Sequence, residues 1–482
     1  MKAQPTDNKA PKYHVEMTVS EIAAIAEGVV ERGAPAQRVE ALVHDTREGV
    51  AGAMFVAIRG ENFDGHDYVA RAAGEGAVGA LVSRDTNSAS FPARFFVIRT
   101  RDTIEALGRI AAARRMRFPI PVIAVAGSSG KTTTKEMIAH VLSAAGRVHK
   151  TSGNLNNLIG LPLTLLGLRE EHQMAVVELG MNMPGELKSL TRIAAPTFGV
   201  LTNVGLAHLG MFGCEEQLLS AKADFLENLA SSAALIYNAD CERSGALVRK
   251  HIGPRRSVSV GESPGAQVRV VSISHQADGY HFALKAGARV ADVALPGFGR
   301  YNVLNAAMAA AMALELGMDV ETIAARLASF TPHELRSQVI AVNGVAIIAD
   351  CYNANPDSMF AVIESLAETD TQGRRFAVLG DMLELGAAAP ELHASIGRHF
   401  GLFPVELLIT VGDLARAACD AAAETGQAAI HAATTEEAIA LLKGKVAPGD
   451  VVLFKASRRM RLEGAVEALK KWIVDRYAII HP

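Results

Sequence analysis

Four apolar runs, at residues 122–126, 175–179, 198–202 and 234–238, are separated by stretches whose apolar positions recur every three or four residues. Runs that are apolar throughout suit strands buried on both faces, so the alternation predicts a parallel sheet with crossover helices. Residues 267–274, 281–285 and 291–295 instead alternate polar and apolar side chains, which predicts an antiparallel addition to that sheet before an alanine-rich helix that Asn302 is placed to cap. A second block from Pro332 repeats the first scheme, with strands expected at 346–350, 375–379, 406–411 and 451–455. Ahead of both, Thr18-Val19-Ser20-Glu21 has the form of a capping box, and Ile22, Ile25, Val29 and Val30 continue it at helical spacing. Strand-like runs at 54–58, 80–83 and 95–98 and a helix over 104–116 then lead to a Pro119-Ile120-Pro121 break. Residues 1–15 read as a loose polar tail.

The pattern gives an α/β protein of three domains. They are a smaller N-terminal α/β domain (1–118), a central parallel-sheet domain (119–331) and a C-terminal Rossmann-like domain (332–482). A length of 482 residues, 49% hydrophobic and 21% charged, fits several globular cores. A net charge of only -3 argues against a protein that coats nucleic acid or an anionic membrane. The most apolar long segment, 306–316, is far shorter than the roughly 18 residues a membrane span needs, so no membrane insertion is expected. Four cysteines without Cys-x-x-Cys spacing suggest neither a disulfide framework nor a zinc site, and fit a reducing cytoplasm.

Chemistry concentrates after the strand at 122–126, where Gly127-Ser128-Ser129-Gly130-Lys131-Thr132-Thr133 joins strand to helix. Glycines let backbone N–H groups approach phosphate oxygens, a helix N-terminus adds partial positive charge, Lys131 neutralises outer phosphates and the Thr132 hydroxyl can bind magnesium. The loop is a short variety, because Val125 stands where the first glycine of the common pattern would be. Glu178 ends the next buried strand and is a natural oxygen ligand beside Thr132, the competing reading being a surface carboxylate at a strand terminus. Leu218, Lys222, Phe225 and Leu229 step by four, three and four, which places Lys222 inside the apolar stripe of a helix. A buried amine is driven toward its neutral form and can then take up carbon dioxide as a carbamate. The alternative is a snorkelling lysine with its head in water.

The short phosphate loop followed by Lys135-Glu136-Met137 resembles the Mur ligase family, and the resemblance runs along nearly the whole chain. It implies a P-loop ATPase as the central domain, with Lys131, Glu178, His208 and Lys222 as catalytic residues. It also implies two magnesium ions held by Thr132, Glu178, His208 and a carbamylated Lys222. Asn302 and Asn305 are placed near the adenine, with Tyr301 where the family has histidine. Arg336 would reach a phosphate, from a turn expected to differ because Leu335 replaces a glycine. Asp350 would close over ATP with Tyr352 and Asn353. Asp45, Thr46, Arg47, Asp64 and His66 resemble the pieces that hold a UDP-sugar, and Asn154, Asn156 and Asn157 a substrate loop.

Gly380-Asp381-Met382-Leu383-Glu384-Leu385-Gly386 with His393, together with Lys455, Ser457 and Arg458, favours the member that joins D-alanyl-D-alanine to UDP-N-acetylmuramoyl-tripeptide. Ala456 there replaces a glycine. The implied reaction passes through an acyl phosphate, in a monomer that binds no nucleic acid. The rivals are a sister ligase that adds a single amino acid, a folylpolyglutamate-type synthetase and, from another class, a nucleotide-regulated binding protein. An acceptor panel separates the first two, and ligation absent with every acceptor would favour the third. The third residue of the stem, lysine or diaminopimelate, is left open.

Overall fold

The computed structural model describes residues 13–86, 91–205, 209–276 and 278–477. Among them three sheets follow one another along the chain, of six, nine and six strands.

In the first sheet the parallel strands Arg38–Val43, Met54–Val56, Gly79–Val82 and Phe96–Arg99 lie between two antiparallel edges, His14–Thr18 and Val29–Arg32. Both edges correct the sequence reading. His14 and Val15 are not tail, since His14 pairs with Ala41 and Val15 is fully buried. The capping box of Thr18 and Glu21 does start a helix, but it ends at Ile25, and Val29 and Val30 belong to a strand. The helix stops where the backbone of Gly28 passes so close to Arg99 that a Cβ would lie 2.7 Å from its carbonyl oxygen.

The central sheet runs from the antiparallel strands Arg289–Pro296, Gly279–Ala286 and Val268–Gln276 through Ser257–Gly261, Ala234–Asn238, Phe198–Leu201, Val122–Ala126 and Met174–Glu178 to the short edge strand Val148–Lys150. From Ser257–Gly261 onward the strands are parallel, as the apolar runs predict. On one face the helices Lys131–Leu142 and Tyr301–Glu315 pack together; the alanines of the latter let the two approach closely. The helix starts one residue before Asn302, whose side chain donates to Phe298 O instead of capping.

On the other face Thr103–Arg115 lies against Gly160–Leu166 and Glu186–Ala194, so that Leu107, Ile110, Leu161, Leu165 and Leu190 form one buried layer with the first sheet. Each such side chain contributes roughly 1.5–3 kcal/mol by leaving water, which anchors the first sheet to the second. The third sheet (Gln338–Val342, Val345–Asp350, Val451–Lys455, Arg375–Gly380, Leu407–Val411, Ala429–Ala432) has separate cores on its two faces. It is parallel except for its first strand. The carboxyl ends of its strands carry Asp350 and Lys455.

Candidate active site

The strand Val122–Ala126 is buried throughout and ends at a loop that two glycines make possible. Gly127 has φ +143° and an added Cβ would lie 2.0 Å from Thr202 Oγ1; Gly130 has φ +78° and its Cβ would lie 2.7 Å from Asn305 Oδ1. Both conformations and both clearances exclude other side chains. Asn203 holds the loop, its Oδ1 accepting from Ser128 N (3.2 Å) and Ser129 N (2.9 Å). Those two backbone donors are therefore engaged, and anion binding falls to the N–H groups of the first turn of Lys131–Leu142, which have no acceptor within their own helix.

Glu178 closes the neighbouring strand. Its Oε2 accepts from Thr132 Oγ1 at 2.8 Å and its Oε1 from Asn156 Nδ2 at 2.9 Å. A hydroxyl and a carboxylate oxygen side by side at a phosphate-binding turn are the hard oxygen donors that magnesium prefers, so these residues fit that ion. Lys222 is buried on the helix Glu215–Glu227 and donates to Ser128 Oγ at 2.9 Å, directly behind the loop. Burial first, and the neighbouring Lys131 second, bring its amine down to about 7. The amine does not snorkel. Lys131 folds over the loop to donate to Gly127 O (2.8 Å) and Ser128 O (3.2 Å). Its pKa is lowered by burial, with Glu178 opposing and the Arg336 guanidinium adding repulsion.

The third sheet supplies the opposite wall. Lys455 Nζ donates to Asp350 Oδ2 at 2.7 Å and to Asn353 O at 3.0 Å, while Asp350 Oδ1 accepts from Ser337 N at 3.0 Å. Arg336 lies on the ring of Tyr352, its Cζ 4.0 Å from the centroid. Asn355 caps the helix Pro356–Glu368 and donates from Nδ2 to Ser129 Oγ at 2.9 Å, joining the third domain to the phosphate loop. Between the walls lies a cavity of about 460 Å³, lined by Ser128 to Thr133, Glu178, Asn302, Asn305, Arg336, Asp350, Tyr352, Asn353, Lys455 and Arg458.

Of the other predicted residues, Asn154 and Asn156 line this cavity, whereas Asn157 accepts from Gly160 N at the start of the next helix. Ser457 accepts from Leu383 N at 2.9 Å and lines, with Arg458, a smaller adjoining pocket of about 90 Å³. Asp45, Thr46 and Arg47 form one single-turn helix between strands of the first sheet, and Asp64 and His66 belong to another, both outside the cavity. There Asp45 pairs with Arg47 at 2.6 Å, a bond that holds its carboxyl at about 2. His66 Nδ1 lies 2.6 Å from Asp64 and its Nε2 accepts from Ser83 N, which assigns the Nδ1–H tautomer. His208 lies outside the described residues. The turn before Arg336 keeps a glycine-like shape, because Leu335 itself sits at φ +59°. Sequence reasoning missed Asn203, Ser337 and Asn355; Asn355 carried a signal, as an N-cap before Pro356.

Three family models match the chain: "Mur ligase family, catalytic domain" over residues 38–115, "Mur ligase middle domain" over 125–313 and "Mur ligase, glutamate ligase domain" over 335–458. The UDP-N-acetylmuramoyl-tripeptide–D-alanyl-D-alanine ligase of Bacillus subtilis is 34% identical over 462 residues, covering 94% of this chain and 98% of that protein. Crystal structure I of MurF from Acinetobacter baumannii superposes with a TM-score of 0.87 at 31% identity, covering 95% of this chain and 99% of that one. MurF ligase from Thermotoga maritima in complex with ADP gives 0.81 at 30% identity, covering 90% and 98%.

Proposed function

The chain belongs to the Mur ligase family, and from that premise we propose that it joins D-alanyl-D-alanine to UDP-N-acetylmuramoyl-tripeptide with conversion of ATP to ADP and phosphate. One observation carries the reading at the level of geometry: Lys131 and Arg336 line one cavity with Lys222 directly behind its phosphate loop, both amines depressed by burial first and by a neighbouring cation after it. Such convergence of cations calls for a polyanion, and a triphosphate supplies it.

The terminal carboxylate of the tripeptide attacks the γ-phosphorus and ADP leaves, giving an acyl phosphate; the dipeptide amine then attacks the acyl carbon and phosphate leaves. Lys131, Arg336 and the first turn of Lys131–Leu142 hold the phosphates, and the work is mainly positioning and charge neutralisation. Thr132 and Glu178 would hold magnesium, which when bound offsets phosphate charge and orients the oxygens. Lys222, with its amine near neutrality beside Ser128, would add carbon dioxide and lose a proton to become a carbamate, and with His208 would serve a second ion. Asp45 to Arg47, Asp64 and His66 are proposed for the UDP-sugar end, Lys455, Ser457 and Arg458 for the dipeptide carboxylate, and the boundaries near 118 and 331 for the three domains.

The deciding measurement is phosphate release with the UDP-tripeptide and a panel of acceptors. Release that depends on D-alanyl-D-alanine, and not on single amino acids or glutamate, is expected. A single amino acid outperforming the dipeptide would overturn the assignment.

A further inference from the structure

Arg336, the guanidinium that the proposed reaction needs at the phosphates, sits between two residues in an unfavourable conformation: Leu335 at φ +59° and Ser337 at φ +52°. Branched and other non-glycine side chains leave this left-handed region unless the surroundings hold them there. On the Leu335 side the carbonyl accepts from Tyr352 N at 3.2 Å, the N–H donates to Gln338 Oε1 at 3.3 Å and the side chain packs against the core of the third sheet. Ser337 is held through both its N–H and its hydroxyl. Ser337 N donates to Asp350 Oδ1 at 3.0 Å, and the Ser337 hydroxyl meets the phenol of Tyr301 at 2.6 Å.

The phenol comes from a different domain. Tyr301 opens the helix Tyr301–Glu315 that packs on the phosphate-loop helix, and its ring occupies space that only Gly299 leaves free: a Cβ there would lie 2.5 Å from the ring. Ser337 Oγ also lies 3.5 Å from Asp350 Oδ1, and either hydroxyl can be the donor in the short bond. Asp350 is in turn fixed by Lys455 at 2.7 Å. A continuous chain of bonds thus runs from the central domain through Tyr301, Ser337 and Asp350 to Lys455, with Arg336 held at its middle against the Tyr352 ring.

We propose that Tyr301 is a positioning residue for ATP: its hydroxyl, through Ser337, keeps the strained turn in place and so aims Arg336 into the nucleotide cavity. The inference rests on the ligase reading above. It assigns the phenolic oxygen a task separate from any contact between the ring and a base.

The test uses Tyr301→Phe, which keeps the ring and removes only the hydroxyl, beside Ser337→Ala, the double variant, and Tyr301→Phe in a Leu335→Gly background. Loss of one hydrogen bond from a part-buried site corresponds to about a tenfold change. Tyr301→Phe is therefore expected to raise KM for ATP about tenfold, with KM for the UDP-tripeptide and for the dipeptide unchanged. Ser337→Ala and the double variant should match it, since the two hydroxyls act as one device. In the Leu335→Gly background the new glycine adopts the left-handed conformation without strain, so the same Tyr301→Phe change should cost less than about threefold. An unaltered KM for ATP in Tyr301→Phe, additive losses in the double variant, an equal rise in all three KM values, or no relief in the Leu335→Gly background would each overturn the proposal. A wild-type protein without dipeptide-dependent phosphate release would instead bring down the ligase reading, which keeps the two failures apart.

Discussion

At the scale of single residues the site depends on a few groups whose surroundings leave little choice. Lys222 is the clearest: an apolar helix stripe carries its amine to the back of the phosphate loop, and burial lowers its affinity for a proton to about 7. The neutral form, which alone takes up carbon dioxide, is therefore the minor species below that pH and the major one above it. If the proposed carbamate forms, activity in carbonate-depleted buffer should fall between about pH 8 and about pH 6 and recover on adding bicarbonate, measured as dipeptide-dependent phosphate release. Lys222→Ala should lose activity and regain part of it with formate or acetate. A variant fully active without such additions would refute the carbamate. Gly127→Ala probes the loop itself. With φ at +143° and Thr202 Oγ1 in the way, it should destabilise the protein by about 1–3 kcal/mol in urea unfolding and abolish nucleotide binding.

Among the elements, the clearest in the sequence are uniformly apolar strands buried on both sides, while the interior strand Ser257–Gly261, interrupted by serines, was missed. Val122–Ala126, Ala234–Asn238 and Val451–Lys455 are apolar because helices cover both faces of their sheets, and the apolar runs coincide with the observed strands. The edge strands Val148–Lys150, Gln338–Val342 and Ala429–Ala432 were illegible, because half-covered short strands carry polar residues that look like loop. The site divides in the same way. Lys131, Thr132, Glu178 and Lys222 announce themselves by local pattern, whereas the bond from Asn355 to Ser129 joins residues 226 positions apart and has no local signature. Asn355 does two tasks from one side chain, which makes them separable. Asn355→Ala removes both, and should cost about 1 kcal/mol of stability for the lost cap while raising KM for ATP. Asn355→Asp keeps the acceptor for Ser358 N and for the Ser129 hydroxyl but sets a negative charge beside the phosphate loop, so stability should stay near wild type while KM for ATP still rises. Equal stability loss in both variants would show that the cap is not carried by this oxygen.

On the scale of the whole molecule the three sheets are joined unequally. The first and central sheets share a continuous apolar layer through Leu107, Ile110, Leu161 and Leu165, so neither can unfold without exposing the other. The third sheet has its own cores, one of which takes in Phe298 and Tyr301 of the central domain, and its described hydrogen bonds to the phosphate loop and to the start of the alanine-rich helix are few: Asn355 to Ser129, Ser337 to Tyr301 and Ser365 to Arg300. Polar contacts of this kind contribute only about 0.5–1.5 kcal/mol each, far less than an apolar layer. Scanning calorimetry of the free protein should therefore resolve two transitions, one for the third domain and one for the first two together. A nucleotide in the cavity touches both walls and stabilises only the docked arrangement. At about a hundred times its Kd it adds about 2.7 kcal/mol to the unit that must undock. ADP or a non-hydrolysable ATP analogue with magnesium should raise the third domain's transition toward the other, and protect amides near Asn355 and Ser337 from hydrogen exchange while leaving Leu42 and Leu81 of the first core unchanged. A single transition in the free protein, insensitive to nucleotide, would mean that the third domain is held by something other than these bonds.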